Sequence, residues 1–441
     1  MYVEGFCCRT NLPSSTAFRG FGAPQAMMAI ETVMEHAAKA FQFPVDKLRY
    51  DHFLKQNQKT FYGQELKYCY LQKLWDDVLH SSDYENAKKA VTQFNNENKW
   101  KKRGIAVIPS MYGVCFPITV LNQGGADVIV YDDGSVLVSH GGTEMGQGLN
   151  TKVVQIVAQA FQIETNQIYI AECASDRVPN TSPTAASVGS DINGMAALDA
   201  CEQINVRLEP IRKKLGPNAS WKQVILAAYN DRINLAARGY YKTPQGGEFN
   251  WKMDTKDHSQ RGQMWNYFTF GICCSLVEVN LLSGKFEMLR SDLIMDVGKS
   301  LNPAIDIGQV EGAFIQGMGW WTIETHRWND GSKPWMSAWT PLGTLYSNTP
   351  RSYVIPRVDN VPLDFRVSLL AGSCNPNAVH SSKAVGEPPI FLSASVYFAI
   401  KDALYHARAA HDVHEFIPCD SPLSFESIRL WSLDPLAKKY T

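Results

Sequence analysis

Residues 140–150 read HGGTEMGQGLN, four glycines set around Thr143, Glu144, Met145 and Gln147, between a stretch patterned as a strand and one patterned as a helix. Glycine is used where a backbone bends sharply or lets another group come into contact with its amides. Any fold for this chain must therefore bring protein or ligand against that loop. Two nucleotide motifs that seat phosphate on glycine amides fail here. Gly146 is followed by Gln147 where a P-loop needs a Lys-Ser/Thr pair after its last glycine, and G-x-G-x-x-G is not matched. The helix that follows, with Leu149, Val153, Val157 and Phe161 as its apolar face, starts directly after the glycines. Its N-terminus suits an anion. A tight strand-to-helix turn without ligand accounts for the same residues.

Three more stretches cluster small residues around a few polar ones: NLPSSTAFRGFGAPQ (11–25), PNTSPTAASVGSDING (179–194) and SSKAVGEPPIF (381–391). The last holds one carboxylate, Glu387, between Gly386 and Pro388-Pro389, ahead of an apolar helix with Leu392, Val396, Ile400 and Leu404. A carboxylate held at such a turn is either a cap for the helix or a positioned general base.

Periodicity supplies the frame. A helix is predicted over 24–41, with Pro24 in its first turn and Met27, Ile30, Met34, Ala37, Ala38 and Phe41 facing inward. Strands are predicted over 103–109, 125–140 and 271–298, the last two folded at Asp133-Gly134 and Ser283-Gly284. Further helices are expected near 149–161, 190–214, 305–318 and 390–410. Hairpins mixed with helices favour an α+β architecture over a strict parallel repeat. The polar stretch 242–265 and the Trp-, Ser- and Pro-rich stretch 326–350 read as surface excursions, and the charged 95–104 as a junction. No internal repeat is evident.

With 45% apolar and 19% charged residues, 441 residues can bury a large core and divide into subdomains. Forty-two basic residues nearly cancel 43 acidic ones, so no global field points to nucleic acid or an anionic membrane. No apolar run approaches the roughly 18 residues of a membrane span, and the N-terminus lacks a signal-peptide pattern. An intracellular, cytoplasmic protein is expected, without a peroxisomal S-K-L ending. The ten cysteines form neither C-x-x-C nor C-x4-C-x2-C and are expected to be reduced, mostly buried thiols.

NLPSSTAFRGFGAPQAM, HGGTEMGQGLNTKVVQ, VPNTSPTAAS, MDVGKSLNPAIDIGQVEGAF and SKAVGEPPIFLSAS together resemble the molybdenum-binding domain of the xanthine dehydrogenase and aldehyde oxidase family, collinearly from about residue 6 to 415. SPTAAS and AVGEPP resemble the xanthine dehydrogenase branch more. The resemblance implies that loop 141–148 wraps a molybdopterin cofactor, with Gly142, Met145, Gly146 and Gln147 in contact. Thr184, Ala185, Ala186 and Ser187 would form a second small-residue wall, Ala186 close to the metal, and Gln309 another pterin contact. Arg19 would lie near the molybdenum; read alone, it is a loop-bracing arginine. Glu387 matches the family's catalytic glutamate, which would deprotonate a molybdenum-bound hydroxyl so that its oxygen attacks an electron-poor carbon as hydride passes to a sulfido ligand (the Mo=S form). Phe21 and Phe116 match an aromatic pair that sandwiches a flat heterocycle, although either could be simple core.

The implied function is hydroxylation of purines such as xanthine or hypoxanthine, or of related N-heterocycles. An aldehyde-oxidising activity and a truncated non-catalytic homologue are the alternatives. Pro117 stands where the family usually has a substrate-bonding threonine, Gly189 replaces a pterin-holding serine, and 326–350 is longer than the family pattern. Residues 1–60 would be the tail of a first, incomplete molybdopterin-binding subdomain, 61–75 a connection, 76–415 the second subdomain and 416–441 a C-terminal tail. Full-length members carry upstream iron–sulfur ([2Fe-2S]) and flavin (FAD) domains and resemble homodimers. The chain is thus expected to be a fragment, inactive by itself.

Overall fold

The computed structural model describes residues 4–13, 17–253, 257–338, 340–418 and 420–439. Cys419 and the Ser14, Ser15 and Thr16 part of the first motif lie outside the described residues. In chain order the elements are helices α1 (Ala23–Ala40), α2 (Val45–Asp51), α3 (Leu71–Ser81) and α4 (Tyr84–Glu97), then strands β1 (Lys101–Val114), β2 (Gln123–Val130) and β3 (Val136–His140). Next come α5 (Leu149–Phe161), β4 (Ile168–Ile170), α6 (Gly189–Leu215), α7 (Trp221–Asn230), β5 (Ala236–Lys242), β6 (Tyr267–Asn280) and β7 (Phe286–Met295). The last are α8 (Pro303–Thr322), α9 (Pro334–Ser337), β8 (Asp364–Leu369), α10 (Ala394–Ala409) and α11 (Phe425–Trp431).

The strands make two mixed sheets, ordered β4-β3-β2-β5 and β1-β6-β7-β8, so the fold is α+β. Each sheet is built the same way. An antiparallel hairpin, β2–β3 or β6–β7, gains one strand parallel to its second arm, β4 or β8. A helix, α5 or α8, crosses between them, because parallel neighbours need such a connection. A further strand pairs antiparallel with the first arm, β5 on β2 and β1 on β6.

The closing helices follow the same plan. A Cβ on Gly239 of β5 would lie 1.9 Å from the Ala196 carbonyl of α6, and one on Gly104 of β1 would lie 2.0 Å from the Ala399 carbonyl of α10. Each helix packs on its sheet at a point only glycine allows. The two units therefore repeat in connectivity and packing without repeating in sequence, which is why no internal repeat is evident in the residues.

Alternation fixes which face each sheet buries. Ala126, Val128, Val130, Val136 and Val138 turn toward Leu149, Val153, Val157, Ala196 and Ile204 to form one core. Cys273, Val277, Leu293 and Met295 turn toward Phe314, Val396, Ile400 and Leu404 to form another. The opposite face of the second sheet is covered by α3 through Leu71, Leu74, Trp75 and Val78. The C-terminal stretch belongs to this assembly as well, with Ile417, Leu423 and Ile428 fully buried in the second core.

Helix α1 forms where expected, but its inward face is rotated from the predicted one. Ile30 is 55% and Phe41 83% exposed, while Met28, Glu31, Thr32 and Ala38 are buried. Charge pairs override the apolar pattern: Glu31 holds buried Arg49 at 2.6 Å, and Glu35 holds the fully buried Lys401 of α10. The cysteines depart too. Cys115, Cys201, Cys273 and Cys274 are buried, whereas Cys7, Cys8, Cys173 and Cys374 are exposed on loops and Cys69 is half-buried. The two excursions lie at the surface but are internally bonded. The first pairs Gly247, Glu248 and Asn250 with Met264, Gln263 and Arg261, and the second wraps Asn329, whose side chain donates to the Thr340 carbonyl at 2.6 Å.

Candidate functional site

Both crossover helices begin at the junction of the two units. Lys152 of α5 pairs with Asp306 of α8 at 2.5 Å, both buried, and Asn302 Nδ2 donates to Gln155 Oε1 at 3.2 Å. Four loops meet over this seam, those preceding α5, α6, α8 and α10, together with residues 18–22 before α1.

The glycine loop answers a specific steric demand at three of its four glycines. A Cβ at Gly141 would lie 2.3 Å from Thr181, at Gly142 2.4 Å from Leu149, and at Gly148 2.6 Å from Ile305. At Gly146, φ is +93° and no atom lies within 4 Å of that position. Protein therefore approaches three glycines, and open space faces the fourth.

The loop's amides have internal partners. The Glu144 carboxylate accepts from Gly146 N at 2.9 Å, Gly148 N at 3.0 Å and Asn150 N at 2.9 Å. Gln147 accepts from Met145 N at 2.6 Å and donates to the Thr143 carbonyl at 2.8 Å. Gly142 N donates to His140 Nδ1, and His140 Nε2 meets Asn150 Oδ1 at 2.9 Å. The α5 N-terminus, expected to offer itself to an external anion, is thus occupied by Glu144. Burial opposes charge on Glu144, but the three amides prevail and hold its carboxyl below the usual value. Burial pushes His140 down, which keeps the ring neutral and able to accept from Gly142.

Thr143 N donates to Thr184 Oγ1 at 2.8 Å, which joins the glycine loop to the small-residue wall. Ala186 and Ser187 there both have positive φ, +53° and +58°, and Phe21 has +48°. Left-handed conformations in consecutive non-glycine residues cost energy and tend to cluster where function over-determines the backbone. Gly189, the first residue of α6, has Leu149 side-chain atoms at 3.7 Å from its Cβ position, so a serine would also fit.

Glu387 sits at the centre, half-buried. Its backbone N donates to Ser187 Oγ at 2.8 Å. Its Oε1 accepts from Gly20 N at 3.3 Å and its Oε2 from the Tyr112 hydroxyl at 3.1 Å. The carboxylate does not cap the following helix: the 3₁₀ turn at 390–393 and α10 both start without a side-chain cap. Glu387 forms no ion pair among the described residues.

Arg19 braces the same corner. Its Nε donates to the Gly386 carbonyl, and its Nη2 to the Gln309 carbonyl at 3.2 Å and to Gln309 Oε1 at 3.1 Å. Burial pushes its pKa down to about 10 against the pull of Glu387. Phe116 is 7% exposed and packs with Tyr112, Val188 and Ala186, whereas Phe21 is 75% exposed. Neither ring pairs with another aromatic among the described residues.

The sequence reading missed Tyr112. Tyr112, Val114 and Phe116 share one face of β1 and its exit, a period-2 signal that ties the tyrosine to the phenylalanine. It also missed the link behind the Glu387 loop, where Tyr267 donates to Asp191 at 2.6 Å and accepts from Ala384 N at 2.9 Å. Burial raises the Asp191 carboxyl to about 7, with Tyr267 and Lys152 opposing.

An open glycine, a wall of small residues, two consecutive left-handed positions and a half-buried carboxylate make a cradle for a flat ligand approached by backbone. Sequence comparison assigns the class. The chain belongs to the molybdopterin cofactor-binding domain family, whose models match residues 1–53 and 77–362. Within it, 46% of residues are identical to xanthine dehydrogenase of Oryza sativa over 99% of this chain, and 47% to xanthine dehydrogenase/oxidase of Gallus gallus over 99%. The chain spans 31% of the length of each. The fold is shared with CO dehydrogenase of Oligotropha carboxidovorans (TM-score 0.77, 18% identity, 96% of this chain and 52% of that one). It is shared too with aldehyde oxidoreductase of Desulfovibrio gigas (TM-score 0.75, 20% identity, 94% and 41%).

Among the described residues no helix is long and apolar enough to cross a membrane, and no group of three His, Cys, Asp or Glu could hold a metal ion.

Proposed function

We infer that this chain is the molybdenum-cofactor portion of a hydroxylase acting on purines or related N-heterocycles. The observation that carries the reading is the placement of Glu387: a carboxylate hydrogen-bonded at both oxygens, in no ion pair among the described residues, beside the wall of small residues. Identity of 46–48% to xanthine dehydrogenases over nearly the whole chain supports the purine assignment over aldehydes. The Desulfovibrio likeness, at 20%, speaks only to fold.

Gly142, Met145, Gly146, Gln147, Thr184, Ala185, Ala186, Ser187 and Gln309 would hold molybdopterin, with Arg19 and Ala186 bordering the metal. When bound, the cofactor in its Mo=S form supplies the oxygen-transfer and two-electron chemistry of hydroxylation. Glu387 takes up the proton at a carboxylate oxygen, a contribution typically worth about 10²–10⁴-fold. Phe21 and Phe116 flank the substrate ring, and Arg19 holds the Gly386 carbonyl so that Glu387 keeps its place.

The family-model matches, which end at 53 and resume at 77, support a connection at 61–75 between a subdomain at 1–60 and one at 76–415; the tail at 416–441 packs back on the second core through Ile417, Leu423 and Ile428. The chain spans 31% of the length of such a relative, which supports further domains as partners; in this proposal they are upstream [2Fe-2S] and FAD domains, in a cytoplasmic homodimer.

The test is Glu387→Gln in the cofactor-loaded holoenzyme containing this chain. Xanthine turnover per bound molybdenum is expected to fall at least ~10²-fold while metal content and melting temperature hold. Undiminished turnover per molybdenum would remove Glu387 from the mechanism.

A further inference from the structure

We propose that Tyr112 is the positioning residue of Glu387, its hydroxyl fixing the carboxylate in the orientation that receives the proton. The proposal rests on Glu387 being the general base. Tyr112 lies on β1 of the second sheet, and Glu387 on the loop before α10. The tyrosine is buried among Val114, Phe116, Val188 and Ile192, so its ring is fixed by packing. Its hydroxyl lies 3.1 Å from Glu387 Oε2 and 3.3 Å from the Gly20 carbonyl.

A hydroxyl carries one proton, and the charged acceptor takes it in preference to the neutral carbonyl. Burial, with Glu387 beside it, raises the Tyr112 hydroxyl far above its ordinary range, so it remains a donor at any working pH. The Gly20 amide holds the other oxygen at 3.3 Å, a long bond that alone would leave the carboxylate free to rotate. Among the described residues the charged group beside Glu387 is Arg19, whose four hydrogen bonds go to Gly386, Gln309 and Gln316 and none to the carboxylate. Among the described residues Tyr112 is therefore the one side chain that bonds the carboxylate directly. A neutral donor does this without the tight charge pairing that would bind up the base, leaving one lone pair on each oxygen for the incoming proton.

Tyr112→Phe keeps the ring and its packing and removes only the hydroxyl. In the holoenzyme, kcat per molybdenum should drop about tenfold, short of the ~10²-fold that a full misplacement of a reacting group can cost, with KM within about twofold. Replacing Tyr112 by 3-fluorotyrosine, which retains the hydroxyl, should restore kcat. A readout independent of the cofactor is the infrared carboxylate band of Glu387, isolated as wild type minus Glu387→Gln, which should move in Tyr112→Phe. An unmoved band, with kcat within twofold of wild type while Glu387→Gln is inactive, overturns the role of Tyr112 alone. An active Glu387→Gln overturns the base reading instead, and the infrared band then still decides whether Tyr112 holds the carboxylate.

Discussion

The two units of this chain share a plan and spend it differently. In the first, the loop between β3 and α5 lies at the surface: Thr143, Glu144, Met145 and Gly146 are exposed, and a single solvent-facing carboxylate organises the amides. In the second, the loop between β7 and α8 starts from a fully buried Asp296, which accepts from Lys383 at 2.5 Å, Ser373 at 2.5 Å and Gly298 N at 3.1 Å. One half presents an adaptable loop and the other a locked one. The lock matters because Lys383 begins the segment that ends in Glu387, so the buried pair anchors the stretch of chain that carries this carboxylate, while the glycine loop has no such anchor among the described residues.

Breaking the lock should have the largest effect on stability. Lys383→Met leaves Asp296 charged and unpaired in the core, expected to cost about 3–5 kcal/mol. A urea midpoint little changed from wild type would show that the two loops are equally soft. The comparison sharpens within the glycine loop itself. Gly142→Ala forces a methyl against Leu149 and Asn193 and should cost about 1–3 kcal/mol by overpacking. Gly146→Val meets open space, so beyond a strain of about 1–2 kcal/mol its main effect should be on pterin content. Cofactor assay and melting temperature, measured on both variants, separate a packing glycine from a ligand-facing one.

The smallest effect is on pH. His140 and Glu144 both titrate below their ordinary values, so each contributes stability that is present above the ordinary value and lost on acidification. For His140 the loss begins below about 6.5, and for Glu144 below about 4.5. Glu144→Gln should flatten the acid side of a plot of melting temperature against pH, by less than about 1 kcal/mol. A curve superimposable on wild type would mean that the amides of 146, 148 and 150 do not depend on that carboxylate.

What could be seen in the residues follows from the range of each interaction. Helix α5 matched its predicted bounds because one amphipathic face decides them locally, and both hairpins were marked by Asp133-Gly134 and Ser283-Gly284, whose glycines take φ of +92° and +71°. Helix α1 was found, yet its buried face was misjudged, because the partners that turn it, Arg49 and Lys401, lie 18 and 366 positions away. Glu387 stood out from its rigid turn. Its choice between capping and open acceptance depended on Gly20 and Tyr112, 367 and 275 positions distant, which no local pattern encodes. The repeated plan was hidden for a related reason: glycines such as Gly104 and Gly239 report close packing only once the opposing helix is known.

The nesting of the two sheets bears on the order in which the chain assembles. Every strand of the first sheet lies between Val114 and Tyr267, which face each other as the last register pair of β1 and β6. The first unit can therefore condense from contacts confined to its own stretch, while the second must wait for β1 and β6 to meet across it. Closing over a folded insert shortens the effective loop, and the entropy of bringing its ends together falls accordingly. Folding is thus expected to run from the inside outward, with the seam between the units forming last. A cofactor that needs loops from both sides of that seam would enter a nearly finished protein, not seed its folding.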